Sequence, residues 1–112
     1  MLDELVRVLE SRRTADPNTS YVASLYAKGS DAVLKKVGEE AAEVLLAAKN
    51  GDNKQIVHET ADLWFHTLIM LVQHGLSADD VLDELARRFG VSGHEEKASR
   101  DSQSANVGDQ TR

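Results

Sequence analysis

Leu2, Leu5, Val6 and Leu9 recur at i, i+3, i+4 and i+7, and similar helical spacing returns through most of the chain. The period-two alternation of a half-buried strand is nowhere sustained, so the pattern predicts an all-α fold. The first helix must stop before Asp16-Pro17, because the proline ring disfavours helical backbone in the residue ahead of it. Thr19 or Ser20 is placed to cap a short helix carrying Val22, Leu25 and Tyr26; Gly29 stands where a glycine C-cap belongs, and Ser30 is placed to recap the chain. Over residues 31–49, Val33, Val37, Ala41, Val44 and Ala48 stripe one side of a long helix that Asn50-Gly51 closes. Asp52 opens the next, which runs to about His74-Gly75 and is apolar on nearly all sides (Ile56, Val57, Leu63, Trp64, Phe65, Leu68, Ile69, Met70, Leu71, Val72), the mark of a central, buried element. Ser77 and Asp80 have capping-box spacing ahead of Val81, Leu82, Leu85 and Phe89, and Ser92-Gly-His-Glu95 repeats the signal before a short polar helix to about residue 100. In residues 101–112 only Val107 is a sizeable apolar side chain, too little to offset the entropy of ordering. The expected organisation is one helical domain over residues 1–100 and a disordered tail over 101–112.

Composition narrows the class. The chain has 112 residues, of which 41% are apolar and 29% charged, enough for one core. Absence of cysteine excludes disulfides, thiolate zinc sites and a cysteine nucleophile. The N-terminus carries Asp3 and Glu4 where a signal peptide wants bases, and the most apolar run, 63–72, falls well short of the roughly 20 residues of a membrane span. A cytoplasmic protein with no membrane partner is expected. Thirteen basic against nineteen acidic side chains leave a formal charge of −6, with no basic cluster, which argues against a nucleic-acid polymer as partner.

The acids become informative by position. At about 100° per residue, Lys36, Glu40 and Glu43 fall within about 60° of one another, with Ala47 continuing their stripe and Glu39 at its edge. The same arithmetic groups Gln55, Glu59, Asp62, His66 and Gln73 into one polar stripe along the apolar helix. A solvated face with i, i+4 partners is the ordinary role of a helical Glu, and Lys35 to Glu39 and Lys36 to Glu40 supply such pairs. That role does not suit Glu59 and Asp62, which sit among apolar neighbours where an uncompensated carboxylate costs several kcal/mol. Glu43 precedes Gly51 by eight residues and Glu59 follows it by eight, so Glu40-x-x-Glu43 and Glu59-x-x-Asp62 stand at equal height on antiparallel neighbours. Such an all-oxygen set suits Mg²⁺ or Mn²⁺. His58, Asp62 and His66, spaced by four, form a weaker zinc or iron alternative, with orientation of Asp62 and Glu59 as their plainer use. Carboxylate-held magnesium is typical of phosphoanhydride chemistry, and Lys36 is the best placed phosphate contact. Gly38 in mid-helix costs about 1 kcal/mol relative to alanine, which suggests close approach by a ligand or another backbone, or tight helix packing.

Lys36-Val-Gly-Glu-Glu-Ala-Ala-Glu43, followed after fifteen residues by Glu59-Thr-Ala-Asp-Leu-Trp-Phe-His66, resembles the paired motif of the MazG-like all-α nucleoside triphosphate pyrophosphohydrolases. Ser20-Tyr21 with Leu25 and Gly29, and Gly75-Leu76 leading into Asp79-Asp80-Val81, are most similar to the phosphoribosyl-ATP pyrophosphatase branch of histidine biosynthesis. The likeness runs through roughly residues 2–100. It implies a helical bundle completed by homodimerisation and magnesium-dependent hydrolysis of phosphoribosyl-ATP to phosphoribosyl-AMP and pyrophosphate. It also implies that Glu40, Glu43, Glu59 and Asp62 hold the metal and carry catalysis, with Glu39 a further ligand. House-cleaning hydrolysis of other nucleoside triphosphates is the alternative within the superfamily, and a helical dimerisation module is the alternative outside enzymes.

Overall fold

The computed structural model describes residues 1–90. Five α-helices follow one another: α1 (Leu2–Ser11), α2 (Tyr21–Lys28), α3 (Ser30–Asn50), α4 (Asn53–Gln73) and α5 (Ala78–Phe89), with a 3-10 turn at Arg12–Thr14. The described residues contain no strand, as the periodicity predicts. Residues 1–78 form one compact unit; the remainder of α5, from Asp79, belongs to a second.

Local chemistry sets the boundaries. Ser20 caps α2 by accepting a hydrogen bond from Ala23 N–H at 3.1 Å, and Asp52 caps α4 through Gln55 N–H at 3.2 Å. Gly51 ends α3 at φ 72°, in the left-handed region that only glycine occupies cheaply. The expected cap by Ser30 does not form. Gly29, at φ 96° and ψ −179°, both ends α2 and precedes α3, so Ser30 is already the first helical residue. At the end of α4, Leu76 N–H reaches Leu71 O at 2.8 Å and Gly75 N–H reaches Val72 O at 3.0 Å, the paired bonds of a Schellman cap.

α3 and α4 form an antiparallel hairpin with the most extensive helix packing among the described residues; α1 packs on α4 and α2 on α3. The core gathers Val6 and Leu9 of α1, Val22 and Leu25 of α2, Val33 of α3 and Leu68, Ile69 and Val72 of α4. Each of these large side chains contributes about 1.5–3 kcal/mol by leaving water. α4 is thus central, yet not buried all round: Val57 is 70% and Trp64 62% exposed, because α1 and α3 cover only part of its circumference. Ala48, assigned to the inner stripe of α3 by spacing, is also exposed. α5 is held locally by a fork in which Glu84 receives Arg87 at 2.7 and 3.1 Å and Arg88 at 3.0 Å. The short polar helix expected after Ser92, His94 and the tail over 101–112 lie outside the described residues.

Candidate functional site

The hairpin turn brings the two acid pairs together. Glu40, Glu43 and Glu59 each offer an oxygen, all within 4.8 Å of one another, and His58, Glu59 and Asp62 form a second such group. Glu59 belongs to both, so one continuous cluster runs from α3 across to α4. Ala47 forms part of the wall of a cavity of ≈ 280 Å³ that opens beside Glu43 and Glu59 and extends to Asn50 and Asp52. Its small side chain leaves that space open, as its place on the acidic stripe suggests.

Glu40 is the buried member, 6% exposed. Its Oε1 stands 3.7 Å from Lys36 Nζ and 3.9 Å from His66 Nδ1, whereas Oε2 is buried with no hydrogen-bond partner. Glu59 Oε1 is likewise buried and unpartnered. A buried carboxylate oxygen without a donor is costly, and a cation on the open side of both would satisfy it. The donor set, hard oxygens with an imidazole at one margin, fits a magnesium-like ion. The acids also press on one another: a carboxyl–carboxyl hydrogen bond that protonated Glu59 donates to Glu43, then burial and the Glu43 and Asp62 charges, raise the Glu59 pKa above its ordinary value against the opposing pull of His58.

Lys36 reaches both Glu40 and, at 3.8 Å, Glu39. Burial alone would lower its pKa, but Tyr21, Glu40 and Glu39 outweigh that and raise it, so the ammonium is held firmly charged beside the acids. Glu39 is not in either close acidic group among the described residues; it pairs with Lys36 at their margin and is 48% exposed.

The histidines divide. His58 Nε2 lies 3.5 Å from Asp62 Oδ2, on the cluster. His66 is buried with both ring nitrogens engaged, Nδ1 with the Asp62 backbone carbonyl at 2.8 Å and Nε2 with the Tyr21 hydroxyl at 2.8 Å. A zinc or iron site on His58, Asp62 and His66 therefore has no free nitrogen from His66. The Tyr21–His66 bond joins residues 45 apart in sequence and is the feature of the site that spacing gives no sign of.

Among the described residues no helix is long and apolar enough to cross a membrane. Residues 2–89 match the family described as phosphoribosyl-ATP pyrophosphohydrolase. The chain is 60% identical over 100 residues to a phosphoribosyl-ATP pyrophosphatase of Methylococcus capsulatus, with 89% of this chain and 95% of the relative covered. It is 57% identical over 104 residues to one of Hydrogenovibrio crunogenus (89% and 92% covered), and 57% identical over 100 residues to one of Chromobacterium violaceum (89% and 93% covered).

Proposed function

This chain belongs to the phosphoribosyl-ATP pyrophosphohydrolase family, whose members hydrolyse a phosphoanhydride bond in histidine biosynthesis, and on that premise we propose how its hairpin serves the reaction. Phosphoribosyl-ATP is cleaved to phosphoribosyl-AMP and pyrophosphate, with Glu40, Glu43, Glu59 and Asp62 holding magnesium, or manganese in its place. The observation that carries this reading is the buried, unpartnered Oε2 of Glu40, facing a charge problem that a divalent cation resolves. When bound, such an ion neutralises phosphate charge and makes water a stronger nucleophile. The chain's own residues do the rest. Glu59, whose carboxyl the neighbouring Glu43 holds above its ordinary pKa, would serve as a ligand in its ionised form, with Glu43 beside it. Asp62, braced by His58, closes the α4 side. Lys36 offers its ammonium to a phosphate oxygen from a site already lined by Glu40. Glu39 reaches a cation only by leaving Lys36, which makes it the outermost of the acids. A cytoplasmic location fits the nucleotide substrate.

A second copy completes the assembly in this proposal. Leu34, Gly38, Ala42 and Leu45 lie at helical spacing on one exposed side of α3, and Val57, Ala61 and Trp64 on one exposed side of α4. Apolar side chains of that size on adjacent helices mark an association surface. Gly38 lies on the same stripe, and a Cβ built there meets nothing within 4 Å in this chain, so close packing inside the monomer does not account for the glycine. Approach by a second backbone does.

The test is pyrophosphate release from phosphoribosyl-ATP, set against release from common nucleoside triphosphates, with Mg²⁺. Glu40→Gln, Glu43→Gln, Glu59→Gln and Asp62→Asn should each abolish most turnover while far-UV circular dichroism stays unchanged. Full turnover in these variants would remove the carboxylates from the mechanism.

A further inference from the structure

Lys36 can act as an anion contact only if its flexible side chain is held at a fixed place beside the acids it faces. Four groups connect around it. His66 donates from Nδ1 to the Asp62 carbonyl, which can only accept, so in the neutral ring Nε2 carries no proton. The Tyr21 hydroxyl at 2.8 Å is therefore the donor to Nε2, and its oxygen is left with lone pairs alone to present to other groups. The ring of Tyr21 stands edge-on to that of His66, centroids 5.8 Å apart at 86°, which fixes where the hydroxyl sits. His66 and Lys36 flank the same Glu40 oxygen, at 3.9 and 3.7 Å. Tyr21 is the first residue of α2 and 52% exposed, so the buried histidine fixes a residue at the surface of the site.

We propose that Tyr21 and His66 are a positioning pair for Lys36: the tyrosine hydroxyl donates to the buried imidazole and fixes it beside the Glu40 oxygen that Lys36 also faces, so that the ammonium is held at a set place to receive a phosphate oxygen. This rests on the role given to Lys36 above. His66 explains why a tyrosine rather than a phenylalanine serves, since the ring contact alone needs no hydroxyl.

The experiment is a double-mutant cycle with Tyr21→Phe and Lys36→Met, measured by steady-state turnover of phosphoribosyl-ATP and by calorimetric binding of inorganic pyrophosphate with Mg²⁺. Tyr21→Phe keeps the ring and should melt within a few degrees of the parent. Expected is a KM raised about three- to tenfold with kcat within twofold, and pyrophosphate binding weakened by a similar factor. In the Lys36→Met background, Tyr21→Phe should add nothing, because the group it positions is gone. A Tyr21→Phe effect of the same size in both backgrounds would show that the hydroxyl acts on its own and overturns the pairing, while leaving Lys36 as an anion contact. An unchanged KM in Lys36→Met would overturn the anion contact and the pairing together. A fall confined to kcat would also overturn the proposal.

Discussion

Glu40→Gln separates what the buried acid does for the fold from what it does for a cation. The substitution keeps the shape of a side chain that is 6% exposed and removes its charge. Without metal, the parent carries a buried oxygen with no donor, a cost of about 1–3 kcal/mol. Against that stands the lost attraction to Lys36, whose side chain is 35% exposed; solvent screening limits such a pair to about 0–1 kcal/mol. Glutamine relieves only the charged part of that cost, because its amide is itself a polar group in the same unpartnered place, so the two effects nearly offset and in EDTA the variant should melt within a few degrees of the parent. Magnesium separates the two. An ion at about 100 times its Kd stabilises the protein that binds it by about 2.7 kcal/mol. For a chain of this length that is a rise in Tm of roughly 10 °C. The parent should show that rise and Glu40→Gln most of it lost, in thermal scans at one fixed protein concentration. A variant several degrees less stable in EDTA, or one with the parent's full magnesium shift, would refute the reasoning.

Three further outcomes are expected. The raised pKa of Glu59 means that the folded state binds more protons than the unfolded chain above the ordinary carboxylate range, so metal-free stability declines as pH rises through the shifted value. Melting scans in EDTA from acid to neutral pH should show that decline flattened in Glu59→Gln. Glu84 has the opposite sign: its hydrogen bonds to Arg87 and Arg88 hold its pKa down to about 2, so the stability it contributes is present above its unfolded value of 4.5 and is lost as pH falls through about 2. The stability gap between the parent and Glu84→Gln should close over that interval. Trp64→Glu places a charge in an exposed apolar stripe and should leave helicity intact while breaking the proposed dimer, read by sedimentation as a shift to monomers; an unchanged sedimentation profile would remove that stripe from the association surface.

Most of the helix boundaries are legible in the sequence because the signals are local. Pro17 forbids helix behind it, Ser20 and Asp52 each reach a backbone N–H within the next three residues, and Gly51 takes a backbone angle that others resist. The acid cluster is legible for a related reason, since the tight turn at Gly51 converts equal sequence distance into equal height, and Glu43 and Glu59 meet across the hairpin. Where a neighbour decides, spacing fails. Ser30 has the chemistry of a cap but loses the position to Gly29, whose φ of 96° starts α3 one residue early. Trp64 and Val57 satisfy the pattern of a buried helix, yet pattern counts apolar residues without knowing how much surface α1 and α3 cover. Glu39 shares the acidic stripe, but Lys36 draws it to the edge. The Tyr21–His66 bond depends on how α2 packs, which no local rule contains.

Burial is unevenly distributed along the hairpin, and the unevenness ties stability to function. Every buried residue of α4 lies at or after His66, where Leu68, Ile69 and Val72 pack with the side chains of α1 and α2 in the core. The first half of α4, which carries His58, Glu59 and Asp62, has none; across from it α3 contributes the charged Glu40 and the small Ala47. One end of the hairpin is therefore held by ordinary apolar packing, while the other spends that stability on like charges gathered around a cavity. Regions with few buried apolar contacts open at low free energy. A cation drawing Glu40, Glu43, Glu59 and Asp62 together, and a second copy covering Val57 and Trp64, would add cohesion at the end that lacks it. The net charge of −6 thus understates the electrostatic demand of the fold, because these four acids share one end of one helical pair.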